Sequence, residues 1–113
     1  MQRGGKGRFA GVTIRTEAGV FDGVHWSPVV THFLRAEYGG AVAAGVADSR
    51  RWQLARGGAD AWLEVIEIQI FPVDSTPEAV RLAATAAAWK ALGNAQEELR
   101  FDSVRDCWTP VAE

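Results

Sequence analysis

The ten residues WLEVIEIQIF, 62–71, constrain the fold of this chain more than any other stretch. They are rich in β-branched and aromatic side chains, which fit a pleated, half-buried surface, and side chains on a strand alternate between its two faces. Unbroken alternation places Trp62, Glu64, Ile66, Ile68 and Ile70 on one face, with Glu67 and Gln69 on the other. Glu64 is therefore expected to face inward. Such a carboxylate is the acid or base of a pocket, the partner of a buried arginine, or a residue at the wet end of the strand. Burying it unpaired would cost several kcal/mol, on the order of the penalty for any isolated ion. It is expected beside a cleft bordered by Trp62 and the first helix, with a water path or a cation such as Arg15, Arg56 or Arg100.

The other elements are read around this strand. VTIRT and VFDGVHW flank the short segment EAG, which predicts a hairpin of strands near 10–16 and 19–26. Ser27-Pro28 offers a cap and first turn, and Gly39-Gly40 a stop, for a short helix over VVTHFLRAEY, although its Val-Val-Thr run also suits a strand. AVAAGVA, 41–47, suits a buried strand or an irregular crossing. GGAD between RRWQLAR and AWLEVIEIQIF predicts a second hairpin. Caps at Asp74, Ser75 and Thr76, Pro77 and Glu78 in the first turn, and Gly93-Asn94 at the end define an alanine-rich helix over 77–92. ELRFDSV makes a last strand. The order ββα(β)ββαβ predicts an α+β fold: a mostly antiparallel sheet of five or six strands, with two helices in a single layer on one face.

One domain, 9–113, is expected behind a flexible, basic, glycine-rich terminus, 1–8. A chain of 113 residues with 48% hydrophobic and 23% charged residues can bury one modest core and is not of disordered composition. Residues 1–16 carry Arg3, Lys6, Arg8 and Arg15 without an acid, while 57–113 hold ten acidic and four basic groups, within a net charge of −2. The basic stretch is short, and no aromatic is interleaved before Phe9, so nucleic acid is not an expected partner. No apolar run approaches the roughly 20 residues that cross a bilayer, and the start lacks a signal-like apolar core. A cytoplasmic protein without a membrane partner is expected, in keeping with a single cysteine, Cys107.

The helix over 77–92 is apolar nearly all round, with Leu82, Ala86 and Trp89 on one side and Val80, Ala84, Ala87 and Ala91 on the other. A helix of that kind is normally buried nearly all round. The alanine side is expected to meet the other helix or a second subunit, and a twofold homodimer through Val80, Ala84, Ala87 and Ala91 is the expected assembly. Five tryptophans strengthen the case for a contact surface.

Phosphate-binding, dinucleotide, CxxC, HExxH and GxSxG signatures are absent from the sequence. The candidates for acid–base work are Glu64, His25 and Glu37. Asp22 could orient His25 if the chain turns at Gly23. Glu37 falls inside the apolar arc of the first helix, so it could approach Glu64 and share a proton with it. His32 lies on the polar arc. Asp22, His25, His32 and Glu37 have no recognised metal spacing, and neither a metal nor a cofactor is expected. Trp62, Glu64 and Trp26 are the expected lining of a ligand cleft, for a small apolar or cationic molecule. With no credible nucleophile, the expected function is a non-enzymatic, self-associating binding module. The alternative is a small-molecule pocket protein or enzyme using an inward-facing Glu64 as acid or base.

Overall fold

The computed structural model describes residues 8–111, with side chains for 10–71 and 75–111. The basic segment 1–7 lies outside the described residues. The elements run β1 (Arg8–Ala18), β2 (His25–Trp26), α1 (His32–Ala55), β3 (Ala61–Ser75), α2 (Pro77–Ala91), β4 (Leu99–Asp102) and β5 (Cys107–Pro110), with a 3₁₀ turn at Gln96–Glu98. The fold is α+β with two helices, but the strands form two sheets rather than the single sheet of five or six expected. One sheet has the order β1-β3-β2 and the other is the β4-β5 hairpin.

The expected hairpin over 10–26 does not form. β1 is antiparallel to β3, whereas the two-residue β2 lies on the far side of β3 and runs parallel to it. Parallel neighbours need a long crossover, and α1 provides it.

That helix is the largest departure from the sequence-based expectation. It continues through Gly39-Gly40, the segment 41–47 and RRWQLA as one element of 24 residues. Ser27-Pro28 begins a turn, and the cap is Thr31, whose hydroxyl accepts a hydrogen bond from the Leu34 amide at 3.3 Å. The GGAD segment thus joins a helix to β3 instead of closing a hairpin. Tertiary packing overrides the glycines: Val42, Gly45, Val46, Ser49 and Gln53 are buried at helical spacing. At Gly45 the helices approach so closely that a Cβ would stand 2.6 Å from the Arg81 carbonyl oxygen and 2.9 Å from the Ala84 Cβ. Nearby, the buried Ser49 hydroxyl donates to the Thr85 carbonyl at 2.6 Å.

α2 matches its expected bounds. Thr76 caps it by accepting from the Ala79 amide at 3.2 Å, Pro77 opens it, and Gly93 at φ 94° turns the chain out of it. Its buried Val80, Ala84 and Ala88 join Val42 and Val46 of α1, and Leu63, Val65 and Ile68 of β3, in one core.

Between Ala61 and Ile70 the alternation of β3 is broken once, and a second register shift follows between Ile70 and Ser75. Thr13 of β1 stands opposite Glu67 and Ile14 opposite Val65, so Ile66 is an extra residue on β3, a β-bulge. Burial follows the bulge: Leu63 and Val65 are buried before it and Ile68 after it, while Glu67 and Gln69 are exposed. The odd positions before the bulge and the even positions after it therefore share the inner face. Trp62 and Glu64 belong to the outer face, contrary to unbroken alternation.

The β1–β2 connection is tied down by Asp60, just before β3. Arg50 of α1 donates to it through Nε at 3.2 Å and Nη2 at 3.0 Å, and the Ala61 amide adds a bond at 3.0 Å. The same guanidinium lies 4.0 Å from the centroid of the Phe21 ring. Arg50, with the Ala61 and Phe21 amides, holds the Asp60 carboxyl below its ordinary value, and Arg56 with the Ala95 amide does the same to Glu98. A carboxyl whose folded pKa is depressed contributes stability that is present above its unfolded value, about 4, and is lost as pH falls through the folded one. The urea midpoint is therefore expected to fall as pH drops below about 5. Asp60→Asn should be less stable at pH 7 and flatten that decline, measured as urea midpoints between pH 7 and pH 3.

The last strand expected from ELRFDSV is the first arm of the second sheet. Asp102 accepts bonds from the Val104 and Arg105 amides at 3.0 and 3.1 Å and shapes the turn to β5. Trp108 fastens the hairpin to α2 by donating from Nε1 to the Leu82 carbonyl at 3.0 Å.

Candidate functional site

The two faces of the main sheet present different chemistry. On the outer face Arg15 of β1, Glu64 of β3 and His25 of β2 stand side by side in register. Arg15 reaches Glu64 Oε1 from both Nε and Nη2 at 2.9 Å, and its Nη1 bonds Glu17. The hydrogen bonds that Arg15 donates to Glu17, and then to Glu64, hold its guanidinium above its ordinary value. Trp62 lies within this row, its ring 4.8 Å from that of His25 and 4.9 Å from the Arg15 guanidinium. The Asp22 carboxylate is 2.6 Å from His25 Nε2, so the turn at Gly23 does bring this pair together.

This corrects the inward placement of Glu64. Its carboxylate is on the solvent side of the sheet, with an arginine as partner, and its side chain keeps 18% exposure. Glu37, expected to face the sheet, is exposed on α1. The two carboxylates therefore occupy different surfaces, and a shared proton is ruled out. Trp26 is separated from Trp62 and Glu64 as well. It pairs with Val65, lies on the inner face and packs against the core, so the three expected lining residues do not form one cleft.

What Trp26 does border is a groove of about 430 Å³ between β2 and α1, in the range of small-molecule sites. Gly39 and Gly40, expected to stop the helix, form part of its wall, and His32 and Arg35 are its charged or titratable side chains. Arg35 lies 5.7 Å from the centroid of the Trp26 ring. Arg35 lies within the helix expected over VVTHFLRAEY, on its polar arc, and sequence reasoning did not set it against Trp26; ending the helix at Gly39-Gly40 hid the rest of the wall. The signal was present in the recurrence of small residues at Ala36, Gly39, Gly40 and Ala43, a spacing that puts them on one side of a continuous helix.

The expected interface is largely consumed inside the chain. Val80 and Ala84 are fully buried, packed with α1 and β3, and only half-buried Ala87 and Ala91 remain from that set. A different flank of α2 is open. Leu82, Ala83 and Ala86, with Ala10, Phe101 and Trp108, line an apolar groove of about 330 Å³ beside β1.

Among the described residues no three His, Cys, Asp or Glu side chains are placed to hold a metal ion. No helix among them is long and apolar enough to cross a membrane. Compared with family models, with curated proteins and with solved structures, the chain matches none.

Proposed function

We propose that this protein is a non-enzymatic binding module that self-associates through the free edge of β1. The observation that carries the reading is the position of that strand: among the described residues it has a strand neighbour on one side only, β3, over a length of 11 residues. Unpaired backbone groups along such an edge are a template for a further strand. Monomeric proteins guard long edges with lysine, proline or inward charge. β1 contains neither lysine nor proline, and Arg15 is engaged by Glu17 and Glu64.

A second copy running antiparallel about Thr13 sets Val12 against Ile14 on the inner face and Thr13 against its own symmetry mate, both favourable cross-strand pairs. The apolar flank of α2 beside β1 then approaches its counterpart, giving the pair a hydrophobic contact in addition to the backbone ladder. The acid–base reading is weaker because Glu64 Oε1 is taken by Arg15 on an open face.

Sedimentation at about 50 μM is expected to give a dimer mass, and a monomer mass would refute the proposal. Thr13→Lys keeps the monomer sound, since Glu67 stands opposite position 13 within the chain, but sets two lysines against each other at the twofold axis. It should weaken association about tenfold or more. An unchanged dimer would place the contact elsewhere.

A further inference from the structure

We infer that the groove between β2 and α1 binds a small carboxylic acid with a flat apolar body, held by Arg35 over Trp26. The site lies at the β2 edge of the sheet, opposite the β1 edge, so it does not depend on self-association. The ring-stacked arginines of this chain follow one pattern. Among the described residues five guanidinium groups lie over aromatic rings: Arg15 on Trp62, Arg35 on Trp26, Arg50 on Phe21, Arg51 on Trp52 and Arg56 on Trp89. Four of them also hold a carboxylate. Arg15 binds Glu64 and Glu17, Arg50 binds Asp60, Arg51 reaches Asp48 at 3.2 Å, and Arg56 reaches Glu98 at 2.8 Å.

Arg35 has no carboxylate partner among the described residues. Its planar fork, steadied by the indole, presents donors suited to two carboxylate oxygens. No acidic residue lines the groove to compete for them, and His32 is the other basic group there.

The remaining wall sets the shape of the ligand. Trp26 offers an aromatic surface, Val24 and Ala36 add apolar contact, and Gly40 leaves the helix side open. A Cβ on Gly39 would already touch Trp26 at 3.7 Å, so helix and indole meet there, whereas one on Gly40 would meet nothing within 4 Å. A flat ring would lie on the Gly40 side of the groove, against Trp26 and Val24, with its carboxylate toward Arg35. A cationic ligand, expected from sequence when Glu64 was placed in the cleft, is disfavoured by Arg35.

Titration of the full chain with phenylacetate, followed by the indole N–H of Trp26 and the amides of Gly39 and Gly40 in NMR spectra, tests the inference. Saturable shifts at these groups are expected. Phenylacetamide and inorganic phosphate should each bind at least about tenfold more weakly, since one lacks the charge and the other the apolar body. Arg35→Gln, at an exposed position, should weaken phenylacetate to a similar degree. Gly40→Leu, which fills the groove from a position with open space, should abolish the shifts while the rest of the spectrum stays folded. Absence of saturable shifts, equal binding of the amide or of phosphate, or an unchanged affinity in Arg35→Gln would each overturn the proposal.

Discussion

Gly45→Ala is expected to lower the stability of this protein by about 2 kcal/mol, although alanine is the better helix former by about 1 kcal/mol. The added Cβ would stand 2.6 Å from the Arg81 carbonyl oxygen, 2.9 Å from the Thr85 nitrogen and 2.9 Å from the Ala84 Cβ. Two of those atoms are backbone, so no rotamer change relieves the contact and the helices must move apart. Overpacking of this kind costs about 1–3 kcal/mol and sometimes more, and separation would also stretch the buried bond from Ser49 to Thr85. Gly45→Val, with a larger side chain and less propensity gain, should lose more. Gly40→Ala, on the same helix, is the internal control. Nothing lies near its Cβ, so it should stabilise by about 0.5–1 kcal/mol. Urea midpoints of the three variants, at constant m value, decide the matter. Equal stability of Gly45→Ala and the parent would show that the helices do not pack as closely as described.

Trp89→Ala is expected to cost about 3–5 kcal/mol, the range for truncating a fully buried tryptophan. That is a large part of the roughly 5–15 kcal/mol that holds a domain together. The ring is fully buried, meets Trp52 edge-on with centroids 6.2 Å apart, and carries the Arg56 guanidinium at 5.1 Å. Its Nε1 donates to the Ala95 carbonyl at 3.0 Å. Arg56 in turn binds Glu98, which accepts from the Ala95 amide at 3.0 Å. One side chain thus joins the C-terminal ends of both helices to the turn that leads into β4. Trp89→Phe preserves most of the apolar area and removes this bond, but the Ala95 carbonyl still accepts from the Glu98 amide at 3.0 Å, so the loss should be about 1 kcal/mol. Urea unfolding with near-ultraviolet circular dichroism measures both. A loss below about 1 kcal/mol for Trp89→Ala would mean that the ring is not buried.

Two elements were legible in the residues because their signals were local. The strand over 62–71 and the helix from Pro77 carry their propensities, caps and stops within a few positions. The outer placement of Glu64 was not legible, because one extra residue at Ile66 changes the phase of the pattern and leaves no mark in composition. The first helix was shortened for a different reason. Gly39-Gly40 does weaken a helix, but the burial of Val42, Val46 and Ser49 against α2 outweighs the penalty. That gain depends on a partner segment more than 30 residues away. The spacing of Val42, Val46, Ser49 and Gln53 was the available clue. Of the candidate sites, Asp22 with His25 was recovered by the turn at Gly23, whereas Trp26 and Trp62 were parted because their strands place them on opposite faces.

The sheet order also sets a timetable for synthesis. β1 emerges from the ribosome early, yet its ladder partner β3 follows only after α1, as the 49-residue separation of Arg15 and Glu64 records. At about 5–20 residues per second, the nascent chain carries an unpaired strand for roughly 2–10 s. During that interval β1 is open to chaperones and to neighbouring chains on the same messenger. Conditions that slow translation within residues 32–60 would therefore lower the soluble yield before they touch the stability of the finished protein.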